Sequence, residues 1–189
     1  MKTVSMSGSL RANVGKKDAK LNRASGKVPC VVYGGKEEIH FTIEEKVLGT
    51  LIFTPYTFLI DLDIEGKKLT TTLQDVQYHP VSDQILHADF LEVTLGKPII
   101  VSLPIRVVGS SIGVLRGGKL VKKARKLKIK ALAEYIPEEI TVDISQLEIN
   151  DTVKVADIKM PHVEILDNAS NLVLSIASTR AVEPPAPGK

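Results

Sequence analysis

The amino-acid sequence predicts a mainly β protein, with a mixed β/α domain over residues 1–94 and an all-β domain over residues 95–180. Apolar and polar residues alternate along Phe58–Ile64, and Glu65-Gly66 then indicates a turn into a second strand. Residues 96–98, Gly-Lys-Pro, interrupt the pattern, and beyond them one alternating segment follows another. The first observation predicts a hairpin with one buried face, and the second places the domain boundary.

Two short helices are predicted in the N-terminal domain. The first covers residues 17–25 and ends at Gly26, since glycine is favoured just after the last turn of a helix. The second begins after Thr42, which together with Glu45 fits a capping box, and stops before Pro55.

The remaining elements are strands, followed by a short tail. The tail, residues 181–189, is rich in proline and is predicted to be unstructured. Apolar runs or strict alternation predict the strands outside the hairpin at residues 28–33, 39–43, 99–107, 126–131, 140–144, 153–156 and 172–177.

Composition restricts the class of protein. The single cysteine, Cys30, cannot form an internal disulfide and is typical of a reducing cytosol. No apolar run is long enough to span a bilayer, and residues 2–11 lack the apolar stretch of a signal peptide. We therefore expect a cytoplasmic protein with no membrane partner.

The net charge of +3 hides an uneven distribution of charge. Residues 1–36 contain eight Lys and Arg against one acidic residue, and residues 116–130 contain eight against none. In the first segment, Lys16, Lys20 and Arg23 are spaced four and three apart, so a helix places them on one face. Such a face fits the phosphates of a nucleic acid, and the candidate contacts in this segment are Arg11, Lys16, Lys17, Lys20 and Arg23.

A catalytic alternative rests on His87 and Asp89, which share a face if they lie in a strand. No nucleophile elbow, phosphate-binding glycine loop or HExxH motif accompanies them. Their spacing, together with His79, matches no closed metal site. The sequence therefore predicts neither an enzyme, nor a cofactor, nor a metal, and favours a polar pair used for structure or RNA contact.

Aromatic residues make up only 4% of the chain and tryptophan is absent, which disfavours a platform that stacks unpaired bases. A folded RNA recognised by shape and phosphate fits better. Tyr33, beside two glycines, is the one aromatic residue assigned to RNA, with a place at the rim of the core as an equal alternative. In the second basic segment, the alternation of residues 126–130 favours a solvated strand face over a second RNA contact.

Several stretches resemble the L-twenty-five/Ctc family of large-subunit ribosomal proteins. They are Gly15-Lys16 with the basic helix, residues 26–34 (GKVPCVVYG), and residues 74–80 (QDVQYHP) followed by residues 87–90 (HADF). Downstream, residues 136–143 and 147–151 resemble the second domain of the long form. One departure is Leu21-Asn22, where the family often has consecutive arginines.

The resemblance implies an N-terminal β-barrel with flanking short helices that binds 5S ribosomal RNA, and a C-terminal all-β domain. It implies other ribosomal RNA and ribosomal proteins as further partners and no small-molecule substrate. A free RNA-binding stress factor of similar fold and a protein-interaction adaptor remain alternatives. By position, the RNA contacts implied by the family fall on Arg11, Lys16, Lys20, Arg23, Tyr33, Gln74, His87 and Asp89.

Overall fold

The computed structural model of the chain describes residues 2–35, 37–94 and 96–178, and the predicted tail lies outside these ranges. The chain divides into two compact units. The first runs to Ile99 and the second begins at Ile100, apart from residues 132–134, which group with the first. The predicted boundary between residues 94 and 95 stays a prediction about independent folding.

The first unit is a closed β-barrel with two short helices. Within the described residues its strands follow the order β1-β3-β2-β6-β5-β4 around the barrel. The elements are β1 (Lys2–Leu10), α1 (Lys16–Ala24), β2 (Lys27–Tyr33), β3 (Ile39–Glu44), α2 (Glu45–Ile52), β4 (Phe58–Ile64), β5 (Lys67–Tyr78) and β6 (Ile85–Glu92).

Strand β1 closes the barrel, and the sequence analysis did not predict it. It pairs in parallel with β4 from Lys2 opposite Phe58 to Gly8 opposite Ile64, and its last residues pair with β3. Only Met6 of this strand is buried. The strand contains three serines and a glycine, and its sequence therefore shows no clear apolar alternation. A Cβ at Gly8 would lie 2.7 Å from the ring of Phe41, which is why a glycine allows the close approach.

The predicted hairpin of β4 and β5 is confirmed and supplies one wall of the core. Ile60, Leu62 and Ile64 are buried, and the turn residues Glu65 and Gly66 both have positive φ, of 51° and 90°. Alternate residues of the other strands fill the rest of the barrel. The largest of its fully buried side chains are Phe41, Ile43, Leu48, Ile60, Leu62, Ile85 and Phe90.

Both predicted helices exist, but one predicted cap is wrong. Helix α1 is followed by Gly26 with φ of 75°, as the sequence indicated. Helix α2 begins after Glu44, which makes no side-chain capping bond. Thr42 is buried in β3 and pairs with Pro29, so the extended strand continues past the position predicted for the capping box.

The second unit contains two sheets within the described residues, a four-stranded one in the order β10-β7-β9-β12 and a three-stranded one in the order β11-β13-β8. Its helical elements are α3 (Ile112–Leu115) and the 3-10 turn Val155–Asp157. A second 3-10 turn, Ala133–Tyr135, falls mostly within residues 132–134, which group with the first unit. The strands of the second unit are β7 (Ile99–Val108), β8 (Lys119–Lys122), β9 (Lys126–Ala131), β10 (Ile140–Asp143), β11 (Thr152–Lys154), β12 (Glu164–Ile165) and β13 (Leu172–Ala177).

The predicted fold class is confirmed: a mainly β protein with an N-terminal barrel flanked by short helices and a C-terminal unit of sheets. One strand is shorter than predicted. Residues 153–156 leave the extended conformation at Val155, where the backbone N–H of Lys154 donates to Asp157 Oδ2 over 2.8 Å and starts a 3-10 turn.

Cys30 offers a test of the barrel core. Its side chain is fully buried, and burial raises the pKa of the thiol to about 12, against an ordinary 9.0. Because the thiolate is the nucleophile, we expect a thiol-specific reagent to modify native protein at neutral pH only as fast as the barrel opens. The modification rate should rise to that of a free thiol in denaturant. Rapid modification of the native protein would contradict the closed core.

Candidate nucleic-acid interface

Three adjacent strands, β2, β6 and β5, carry polar side chains on the outside of the barrel. Along β6, Ala88 and Phe90 are fully buried, so the alternating residues His87 and Asp89 point outward. Strand β2 lies beside β6 in parallel, with Val31 opposite Asp89. We call the outward side of these three strands the polar face.

His87 and Asp89 form the central pair of the polar face. Their Nδ1 and Oδ1 atoms are 2.6 Å apart, and both side chains are about one-third exposed, at 30% and 32%. An ionised carboxylate only accepts hydrogen bonds, so Nδ1 of His87 donates to Asp89 and the bond fixes the orientation of the ring. Nε2 is then the ring nitrogen left for another partner. The prediction that the two residues share a strand face is confirmed.

Strand β5 adds two residues that the sequence analysis missed. Gln77 lies opposite His87 and Asp75 lies opposite Asp89. Two carboxylates directly across a strand pair repel each other, which is unfavourable in the isolated protein. The sequence places Asp75 and Gln77 two residues apart in a strand, but the pairing register that brings them to His87 and Asp89 cannot be read from it.

Tyr33 and Gln74 lie at the edge of this arrangement. Burial raises the pKa of the Tyr33 hydroxyl, and the negative charges of Asp89 and Asp75 raise it further. The hydroxyl therefore stays protonated at neutral pH and can donate a hydrogen bond. Gln74 is exposed at an irregularity of β5, between Leu73 and Asp75, where the pairing with β6 shifts register.

Helix α1 carries the predicted basic residues beside the same strands. Lys16, Lys17 and Lys20 are exposed. Arg23 Nη1 donates to the backbone oxygen of Leu86 over 3.2 Å, which ties the last turn of the helix to β6 next to His87. No residue of α1 is buried, so the helix is held by its polar contacts and its links to the barrel.

Arg11 takes part in a structural network at the start of α1. Its Nε and Nη2 atoms donate to Asp18 Oδ2 at 3.0 and 2.6 Å, and Asn22 Nδ2 donates to the same oxygen at 2.9 Å. The Arg11 side chain is only 7% exposed. In this arrangement Arg11 positions α1, and its contact with RNA stays a prediction.

The groups of the polar face are suited to binding a polar partner through hydrogen bonds and charge. It offers a phenolic donor, amide groups, an oriented imidazole and carboxylate acceptors, with cationic side chains on α1. Such groups match phosphates, 2′-hydroxyls and base edges. Across residues 2–35, 37–94 and 96–178, no group of His, Cys, Asp and Glu is arranged to hold a metal ion.

No helix among the described residues is long and apolar enough to cross a membrane.

Two family models match the chain, one for each unit. Residues 6–90 match the Ribosomal L25p family, and residues 98–180 match the C-terminal domain of ribosomal protein TL5. Both families consist of ribosomal proteins by their descriptions, and the first match includes most of the polar face and helix α1.

Curated proteins match over most of the chain. The large ribosomal subunit protein bL25 of Bacteroides fragilis is 43% identical over 159 residues, which cover 84% of this chain and 81% of that protein. The bL25 proteins of Phocaeicola vulgatus and Cytophaga hutchinsonii are 38% and 39% identical, and each match covers at least 95% of both chains.

Fold, polar face and family models together define a two-domain ribosomal protein, structural and not enzymatic. The chain belongs to the bL25 family of the large ribosomal subunit, in its long form. The predictions of a non-enzymatic ribosomal role and of a place on the cytoplasmic ribosome are confirmed by this membership.

The network around Asp18 predicts a local loss of stability on mutation. Asp18→Ala removes the common acceptor of Arg11 and Asn22 and leaves a mostly buried guanidinium without its partner. We expect α1 to lose about 1–3 kcal/mol of local stability. Hydrogen exchange of the α1 amides should therefore accelerate, while the strands of the barrel keep their protection. Glu38→Ala, at an exposed position, is the control that removes one acidic charge, and equal exchange in both variants would contradict the role of Asp18.

Proposed function

We propose that this chain binds 5S ribosomal RNA through its N-terminal unit. The proposal refines the ribosomal role that the family establishes by naming the RNA and the surface. The proposed contacts are those that the sequence analysis nominated, namely Arg11, Lys16, Lys17, Lys20, Arg23, Tyr33, Gln74, His87 and Asp89.

The observation that carries the proposal is the position of a cationic helix next to an oriented polar pair. Arg23 joins α1 to the backbone of β6 at Leu86, one residue before His87, and the His87 ring is held by Asp89. Phosphate contacts from lysines give affinity without sequence preference. Side chains held in one orientation add the discrimination, since a mismatched partner leaves them unpaired.

The surface fits folded RNA better than an unpaired strand. Tyr33, the aromatic residue nominated for RNA contact, is partly buried among its neighbours rather than displayed as a stacking platform. Its protonated hydroxyl, the Nε2 atom of His87 and the oxygens of Asp89 instead suit 2′-hydroxyls, base amino groups and phosphate oxygens in a minor groove.

The electrostatic part of the proposal predicts a strong dependence of binding on salt. If about four to six cationic side chains meet phosphates, the slope of log K against log salt should be about −3 to −5. The measurement is a titration of 5S RNA with the full chain over a range of salt concentrations. A slope near zero would contradict the assignment of α1 as a phosphate-binding element.

The proposed contacts of His87 and Tyr33 predict that two single substitutions weaken binding to RNA while the protein stays folded. His87→Ala and Tyr33→Phe each remove one polar group and should cost about 1–3 kcal/mol of binding to 5S RNA. Neither should unfold the barrel, because both groups lie on its outside. His162→Ala and Tyr56→Phe remove the same groups elsewhere and serve as controls. If His87→Ala unfolds the barrel and the folded fraction binds normally, His87 is a structural residue.

The proposal that the N-terminal unit alone binds 5S RNA can be tested with fragments of the chain. We expect a fragment of residues 1–94 to fold alone and keep most of the 5S affinity, because the barrel and all nominated contacts lie within it. The complementary fragment, residues 95–189, should not distinguish 5S RNA from an unrelated RNA of equal length. Discrimination by that fragment would place the specific site in the other unit.

A further inference from the structure

The second unit carries a dense group of positive charge that the proposed 5S site does not use. Four of the five residues from 122 to 126 are basic, namely Lys122, Lys123, Arg125 and Lys126, and all four are exposed. They run from the last residue of β8 to the first residue of β9, across the connection from the three-stranded sheet to the four-stranded one. We call this segment the basic turn.

The backbone of the basic turn is fixed from both sheets. The N–H groups of Lys123 and Ala124 both donate to the carbonyl oxygen of Val173, at 2.9 and 3.0 Å. The carbonyl oxygen of Arg125 accepts from the N–H of Ile105 at 3.0 Å. Ala124 is partly buried between its charged neighbours. The charges therefore stand on an ordered support, which lowers the entropy lost when they bind.

The basic turn lacks neutralising partners within the described part of the chain. The ion pairs of the second unit join Arg106 to Glu139, Arg116 to Glu148 and Lys130 to Glu164, and none includes a residue of the turn. Charges this close in sequence lie within a Debye length, about 10 Å at 0.1 M salt, and repel one another. An anionic partner would remove that repulsion.

The character of the turn favours RNA over an acidic protein. Residues 116–130 contain no aromatic side chain and no acidic residue. Protein interfaces depend on buried aromatic or large apolar anchors, whereas contacts with nucleic-acid phosphates need only accessible cations. Beyond the turn, Lys128 and Lys130 continue outward along β9, at a spacing of about 6.6 Å between alternate residues of a strand.

We propose that the basic turn is a second RNA-binding surface, which contacts the phosphates of double-stranded ribosomal RNA without sequence preference. The sequence analysis favoured a solvated strand face for this region, and the lysines of β9 do point outward as it predicted. What the strand pattern did not indicate is the turn before it, where four cations gather on a fixed backbone. The proposal does not depend on 5S binding.

The experiment compares two double variants of the full chain that lose the same charge. Lys123→Gln with Arg125→Gln alters the basic turn, and Lys154→Gln with Lys159→Gln alters exposed cations elsewhere in the same unit. The probe is a short RNA duplex of unrelated sequence, titrated over a range of salt concentrations. For the turn variant, the salt slope should become shallower by about 1.8, and binding at about 0.1 M salt should weaken roughly tenfold or more. The control variant should match the unaltered chain.

The outcomes separate the alternatives. Equal slopes for the two variants would overturn the proposal, because the turn would then be an ordinary solvated surface. Displacement of the duplex by polyglutamate of equal charge at equal concentration would overturn its assignment to RNA in favour of an acidic protein. Failure of the unaltered chain to prefer 5S RNA would count against the proposed 5S function only, since the duplex comparison would still stand.

Discussion

The parallel pairing of β1 with β4 is the constraint on which the N-terminal unit depends. Seven residues of β1, Lys2 to Gly8, pair with Phe58 to Ile64, and this ladder turns an open sheet into a closed barrel. Closure removes the unpaired edges that an open sheet exposes and gives every strand one inner and one outer side. The outward positions of β2, β6 and β5 are therefore held in a fixed mutual register. The bond between His87 and Asp89 therefore lies between strands whose residues have defined partners.

The polar face carries negative charge that the isolated protein compensates only in part. Asp75 lies across from Asp89, and both raise the pKa of Tyr33. One of the two carboxylates is compensated by His87. An RNA surface brings amino and hydroxyl donors as well as phosphates, so carboxylates next to cations suit a partner that presents both. In the proposed complex, the cations on α1 would attract the RNA. The acidic residues would disfavour any partner that lacks hydrogen-bond donors opposite them, and such unfavourable contacts produce specificity.

The two units thus suit two different kinds of RNA contact. The polar face combines donors, acceptors and an oriented ring on three strands, and a helix tied to β6 by Arg23 adds charge. The basic turn of the second unit has cations alone, on a backbone fixed by Val173 and Ile105. Oriented polar groups discriminate between RNA structures, and a cluster of cations adds affinity that salt readily weakens. A chain with both would combine a specific anchor with a general one.

The fold class, the hairpin of β4 and β5, the two N-terminal helices and the nomination of His87 with Asp89 could all be predicted from the amino-acid sequence. Each depends on neighbours within a few residues, whether as strand alternation, a glycine after a helix or two polar residues on one strand face.

The other features depend on contacts between residues that are distant in the sequence or on neighbouring strands. Strand β1 escaped prediction because its pairing with β4 joins residues more than 50 positions apart and leaves only Met6 buried. The cap predicted at Thr42 failed because its partner strand held that residue in the sheet. A packing contact makes Arg11 a buried partner of Asp18. The register between β5 and β6 places Asp75 and Gln77 on the polar face. The register could not be predicted from the local sequence, because it depends on which strand lies alongside and not on the residues before and after.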